Sequence, residues 1–138
     1  MKLLSLFKLY LTTLAICLTM DMLWLRTIAH SFYTDQIGFL IAKSPNLFAA
    51  GLFYLLFAVG ILVFAVFPAL KEKKPKVQKA LLLGGLFGFF TYCTYDLTNM
   101  ATIENWPLVL TVVDVVWGVF LSATVAALSF LIGKKIFV

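Results

Sequence analysis

Three aspartates, Asp21, Asp96 and Asp114, stand inside stretches of sequence that are otherwise apolar. A carboxylate near the middle of a membrane helix costs about 2.5 to 3.5 kcal/mol on the insertion scale, so such residues face a bundle interior or a water-filled cavity and mark ligand, ion or proton sites. Their neighbours carry chemistry too. Asp21 and Trp24 form D-x-x-W, and Asp114 and Trp117 repeat that spacing, which puts each pair on one helical face. Tyr92, Asp96 and Asn99 share a narrow arc with Gly85 and Gly88. The candidate ligand-binding set is therefore Asp21, Trp24, Tyr92, Asp96, Asn99, Asp114 and Trp117. The competing role is structural: the aspartates would accept bonds from Tyr, Trp, Thr or Asn, or pair with Arg26, to fix helix register, each such bond contributing about 0.6 to 2 kcal/mol. One Arg near their depth cannot pair three carboxylates.

The elements that must position these residues follow from composition. The chain has 138 residues, 63% apolar and 12% charged, with a mean hydropathy of +1.05. Soluble domains carry about a quarter charged residues. Water is not the solvent for most of this surface, which excludes a secreted disulfide scaffold, a nucleic-acid module and a disordered tail. The expectation is an all-α polytopic membrane protein, a single domain over 1–138 whose partner is the lipid bilayer and not nucleic acid. Crossing a hydrocarbon core takes about 20 apolar residues, and four stretches qualify, near 6–25, 46–70, 80–99 and 108–132. Pro68 and Pro75 bracket the exit from the second, and Pro107 opens the fourth, where proline suits a first turn. Gly84 and Gly88 form G-x-x-x-G, a pattern that lets helices approach closely and that reads as packing within one chain ahead of a dimer seam.

Orientation follows from the basic residues. Lys2 and Lys8 precede the first span, Lys71, Lys73, Lys74, Lys76 and Lys79 join the second to the third, and Lys134 and Lys135 follow the fourth, while residues 100–107 hold no Lys or Arg. The positive-inside rule then predicts both termini in the cytoplasm. The lysine run gains about 1 kcal/mol per charge beside anionic headgroups. Asp21, Asp96 and Asp114 come to one depth in the outer half. A cleaved signal peptide is set aside, because Asp21, Trp24 and Arg26 interrupt the apolar stretch well before Thr27-Ile28-Ala29. In the first loop Ala29, Phe32, Tyr33, Ile37, Leu40 and Ile41 recur at helical spacing, which predicts either a short interfacial helix or an extension of the first span.

Fourteen Phe, five Tyr and three Trp supply the apolar half of any pocket. Trp24 and Trp106 are placed at the outer interface as an aromatic belt, with Trp117 deeper. Asn46, Ala50, Phe53, Phe57 and Gly60 share a face that either opposes the carboxylates or packs in the core. His30, Asp35 and Glu104 are placed near the mouth of the site. Cys17 and Cys93 lie within spans as small apolar residues, no spacing resembles a metal motif, and no cofactor is indicated.

Together Thr94-Tyr95-Asp96-Leu97-Thr98-Asn99, Asn105-Trp106-Pro107, Asp114-x-x-Trp117-Gly118, Asp21-x-x-Trp24-Leu25 and Phe53-Tyr54-Leu55 resemble a bacterial family of small membrane proteins known as a domain of unknown function, number 2177 of that series. The resemblance covers nearly the whole chain. It implies a four-helix protein of the bacterial inner membrane, carries over no reaction, cofactor or catalytic residue, and inclines the reading toward lipids. The function expected first is binding or handling of a lipid or amphipathic small molecule at the carboxylate layer. A proton- or ion-coupled transporter or channel is the alternative, and it requires a homo-oligomer because four helices rarely enclose a pathway. A lipid-modifying membrane enzyme is the third, using paired carboxylates as acid and base or as ligands for a hard cation, though no nucleophile, His cluster or phosphate loop accompanies them.

Overall fold

A computed structural model describes residues 3–137; Lys2, counted above for orientation, lies outside them. Among the described residues there is no strand. The elements are α1 (Leu3–Leu23), α2 (His30–Ile37), α3 (Leu47–Ile61), α4 (Phe67–Leu70), α5 (Val77–Thr102) and α6 (Leu108–Phe137). Four stretches are long and apolar enough to cross a membrane, Leu3–Ile28, Leu47–Leu70, Val77–Thr102 and Leu108–Phe137, and the protein is a four-helix membrane bundle. The helices run past the apolar stretches at several ends, because backbone groups in lipid must bond within their own helix until the chain reaches water or a turn.

Two widened turns bend this frame. The first span continues from α1 through a π turn at Trp24–Ile28, closed by the Ala29 amide on the Trp24 carbonyl at 2.8 Å, before α2 begins. The first loop thus contains a short helix of its own, separated from the span by a break at Ala29 (φ −111°, ψ 5°). The second π turn, Leu62–Val66, joins α3 to α4 directly before Pro68. Proline has no N–H, and its ring collides with the carbonyl four residues back in a straight helix; one extra residue per turn at that point opens the space.

Threonines satisfy themselves along the spans. Thr12, Thr19, Thr94 and Thr102 each donate a hydroxyl to the carbonyl four residues earlier, so none presents a bare hydroxyl to lipid. Asn46 caps α3, accepting from the Ala49 amide at 3.0 Å. Large apolar side chains such as Leu82, Phe90, Val116 and Phe120 cover the outside, a surface that suits a hydrocarbon solvent and no aqueous one.

The long helices α5 and α6 lock along an antiparallel seam with a four-residue repeat. A Cβ on Gly84 would meet the Ala126 Cβ at 2.5 Å and the Ser122 carbonyl at 2.6 Å, and one on Gly88 would meet the Ser122 hydroxyl at 2.7 Å and run into the Gly118 carbonyl. One rung further the Tyr92 ring lies directly on Gly118. The G-x-x-x-G face is therefore occupied by α6 of the same chain. The α1 helix runs antiparallel to α6 in the same way: Leu9 packs beside Gly133, and the hydroxyls of Thr13 and Ser129, both buried, bond at 2.8 Å. Around these contacts Ile61, Ala65, Val66, Leu121, Val125 and Phe130 make the core.

Candidate ligand site between the carboxylates

The register of these seams delivers the aspartates. Continuing the α5–α6 ladder by one rung from Tyr92 on Gly118 sets Asp96 beside Asp114. Continuing the α1–α6 ladder from Thr13 and Ser129 brings Asp21 to Trp117, whose indole N–H donates to Asp21 Oδ1 at 3.0 Å. From α3 the Tyr54 hydroxyl donates to Asp21 Oδ2 at 2.5 Å. Asp21, 5% exposed, is thus held by donors from two other helices.

The repeated D-x-x-W spacing acquires a geometry here. Because α1 and α6 are antiparallel, each tryptophan faces the aspartate of the opposite helix and not its own. Trp117 reaches Asp21 directly. Trp24 donates its N–H to the Tyr33 hydroxyl at 3.1 Å, and Tyr33 in turn donates to Asp114. Between the two arms the indoles of Trp24 and Trp117 lie flat on one another, centroids 4.3 Å apart and planes 7° from parallel. The π turn beginning at Trp24 shifts the helix by one residue at this point, which matches the tendency of such turns to mark functional sites. Burial, and after it the bond to Asp114, pushes the Tyr33 phenol above its ordinary value, so it remains a donor across the physiological range.

Over this network stands a cavity of about 680 Å³, within the range of roughly 300 to 1,000 Å³ usual for small-molecule sites. Asp21 and Asp114 are its carboxylates, and Trp24, Trp117, Tyr33, Tyr54 and Tyr92 their aromatic surround. Phe53 and Phe57 of α3, on the face noted in the sequence, supply apolar lining together with Leu110 of α6, Leu25 of the first π turn, and Ile37 and Ile41 of the first connection. His30, exposed, also borders it; Asp35 and Glu104 do not.

Of the seven site residues expected from the sequence, Asp21, Trp24, Tyr92, Asp114 and Trp117 line this cavity, and Asp96 and Asn99 do not. Asp96 is fully buried behind Asp114, and neither of its oxygens has a hydrogen-bond donor among the described residues. Arg26 is exposed and pairs with none of the aspartates; among the described residues the ion pair is Lys79 with Glu72. Nor do three His, Cys, Asp or Glu side chains there gather as a metal site would require.

The aromatic belt needs correction. Trp106 is 8% exposed, donates its N–H to the Thr111 hydroxyl at 3.1 Å, meets Tyr95 edge-on and lines the cavity. Its neighbour Asn105 has φ 60°, a left-handed conformation that asparagine tolerates better than other side chains, and this turn carries Trp106 inward between the ends of α5 and α6. Trp24, named for the site as well as the belt, lines the cavity half-buried and stacked on Trp117. Sequence reasoning missed Tyr33 and Tyr54 as donors to the aspartates, each being one hydroxyl among many aromatic residues.

The model of the family described as Predicted membrane protein (DUF2177) matches residues 6–131. The chain belongs to this family. The matched stretch contains each of the three aspartates, both D-x-x-W pairs and the Asn105 turn. No curated protein and no solved structure matches the chain.

Proposed function

We propose that this member of the family binds or handles a lipid or amphipathic small molecule, with the polar head at Asp21 and Asp114 and the apolar part against Phe53, Phe57 and Leu110. The observation that carries the reading is the cavity itself: about 680 Å³, walled by aromatic and aliphatic side chains, with two carboxylates, Asp21 and Asp114, in its lining. Few fixed polar groups in an apolar wall are the usual form of a small-molecule site. Native mass spectrometry of protein extracted in a mild neutral detergent tests it. The parent chain is expected to carry a bound small amphiphile, and Asp21→Asn and Asp114→Asn to lose it while still running as folded protein. Variants that melt early yet keep the same adduct as the parent would return the aspartates to the role of register devices. A proton-carrying transporter, the second reading, would draw on the placement of Asp96 beside Asp114, since neighbouring carboxyls compete for one proton.

We infer that both termini and the Lys71–Lys79 turn lie in the cytoplasm of the bacterial inner membrane, with the cavity toward the outer face. Lys73, Lys74 and Lys76 are exposed at the turn between α4 and α5, as an anionic cytoplasmic leaflet favours. A dual reporter fused after Val138 should show only its cytoplasmic activity. Strong periplasmic activity would reverse the orientation and put the cavity toward the inner face.

A further inference from the structure

The cavity's donors are largely committed inside the protein. The N–H groups of Trp24, Trp106 and Trp117 go to Tyr33, Thr111 and Asp21, and the hydroxyls of Tyr33 and Tyr54 go to Asp114 and Asp21. Beside the His30 ring and the Tyr92 and Tyr95 hydroxyls, what remains facing the cavity is carboxylate lone pairs and aromatic π surface. Both attract positive charge, the first by Coulomb attraction and the second through the ring quadrupole. The lining contains no Lys or Arg, and no described cation pairs with Asp21 or Asp114. Buried charge without a counter-charge is costly; the exposed His30 ring is the one basic side chain in the lining, and a cationic ligand would supply the charge at the carboxylates themselves.

Resting on the reading that this cavity holds an amphiphile, we propose that the head it selects is an ammonium group, seated at Asp21 and Asp114 against the indole and phenol rings, with its alkyl chain along Phe53 and Phe57. An anionic head meets two carboxylates and no cation. A neutral hydroxylated head bonds the carboxylates without balancing their charge. A single-chain amine and the head of an ethanolamine phospholipid both present this ammonium; the recognition chemistry is the same.

All three tryptophans of the chain line the cavity, so intrinsic fluorescence reports its occupancy. The full chain, in a neutral glycoside detergent, is titrated with dodecyltrimethylammonium, laurate and dodecanol. The expected result is a saturable change with the ammonium probe at an apparent affinity about tenfold or more above the other two, a preference worth about 1.4 kcal/mol. Asp21→Asn keeps an acceptor for Trp117 and a group for Tyr54, and it should lose most of that preference while retaining its unfolding midpoint. Equal responses to the three probes overturn the ammonium selection and leave the amphiphile reading standing. Silence toward all three overturns both. The comparison on the unmodified chain decides this even if the variant fails to fold. Repeating the titration in nanodiscs of phosphatidylglycerol, with and without phosphatidylethanolamine, separates the sources: competition by the ethanolamine lipid identifies a membrane headgroup, and its absence a single-chain amine.

Discussion

Asp96→Asn should raise the stability of the folded protein, although Asp96 is fully buried and sits at the junction of the two longest helices. Both carboxylate oxygens lack a donor among the described residues, and the neighbouring group is another carboxyl, that of Asp114. A buried polar group left unsatisfied costs about 1 to 3 kcal/mol, and a charged one more. Asparagine has nearly the same shape and brings an N–H₂ that can donate to Asp114, turning an acceptor facing an acceptor into a bonded pair. The thermal unfolding midpoint in neutral detergent is expected to rise, by the equivalent of about 1 to 3 kcal/mol. Asp21→Leu provides the contrast. It strips the acceptor from Tyr54 and Trp117 together, and its midpoint should fall. A drop for Asp96→Asn comparable to that for Asp21→Leu would mean that the Asp96 carboxylate makes a favourable contact in the native bundle, and the account of this pair would be wrong. A residue that stabilises on removal yet occupies the site's second layer fits the pattern in which functional sites carry destabilising groups.

The four spans were legible because long apolar runs in a chain with few charges have one structural solution in lipid. The start of α6 was legible from Pro107, and the close approach of α5 from Gly84 and Gly88. The aspartates were legible as a group, since each costs too much in an apolar span to be accidental. What the sequence did not disclose depends on rotation and on single dihedrals. A π turn at Trp24–Ile28 rotates everything after it by about 100° relative to a regular helix, and no periodicity count over the first span contains that shift. Trp106 reads as a belt residue until the left-handed Asn105 turns it inward. Asp96 and Asn99 share a face with Tyr92, but a face is wider than a cavity: the Tyr92 rung opens on the pocket and the Asp96 rung closes behind Asp114. Tyr33 and Tyr54 stayed hidden among many aromatic residues, because one hydroxyl gives no pattern. The D-x-x-W repeat was visible, and its crossed use follows only once α1 and α6 are known to lie antiparallel.

That dependence on register makes the α5–α6 seam the place where a small change should do most damage. Gly88→Ala adds one methyl, and it must enter the space of the Gly118 carbonyl and the Ser122 hydroxyl. A backbone carbonyl within a helix cannot swing aside as a side chain can, so the helices must separate. Overpacking of this kind costs about 1 to 3 kcal/mol, and here the loss extends along the ladder, since separating the rung at Gly88 also loosens Tyr92 on Gly118 and Asp96 beside Asp114. The unfolding midpoint should therefore fall, and the tryptophan emission should change as the cavity floor moves. Gly85→Ala is the matched control three residues away on the same helix. Its Cβ would stand 3.6 Å from Val119 and 3.8 Å from Ala123, ordinary contact distances, and alanine is the better helix former by about 1 kcal/mol. That variant should be neutral or slightly more stable with unchanged emission. Should Gly88→Ala and Gly85→Ala behave alike, the seam is not a close-packed ladder, and the register argument that brings Asp96 to Asp114 loses its support.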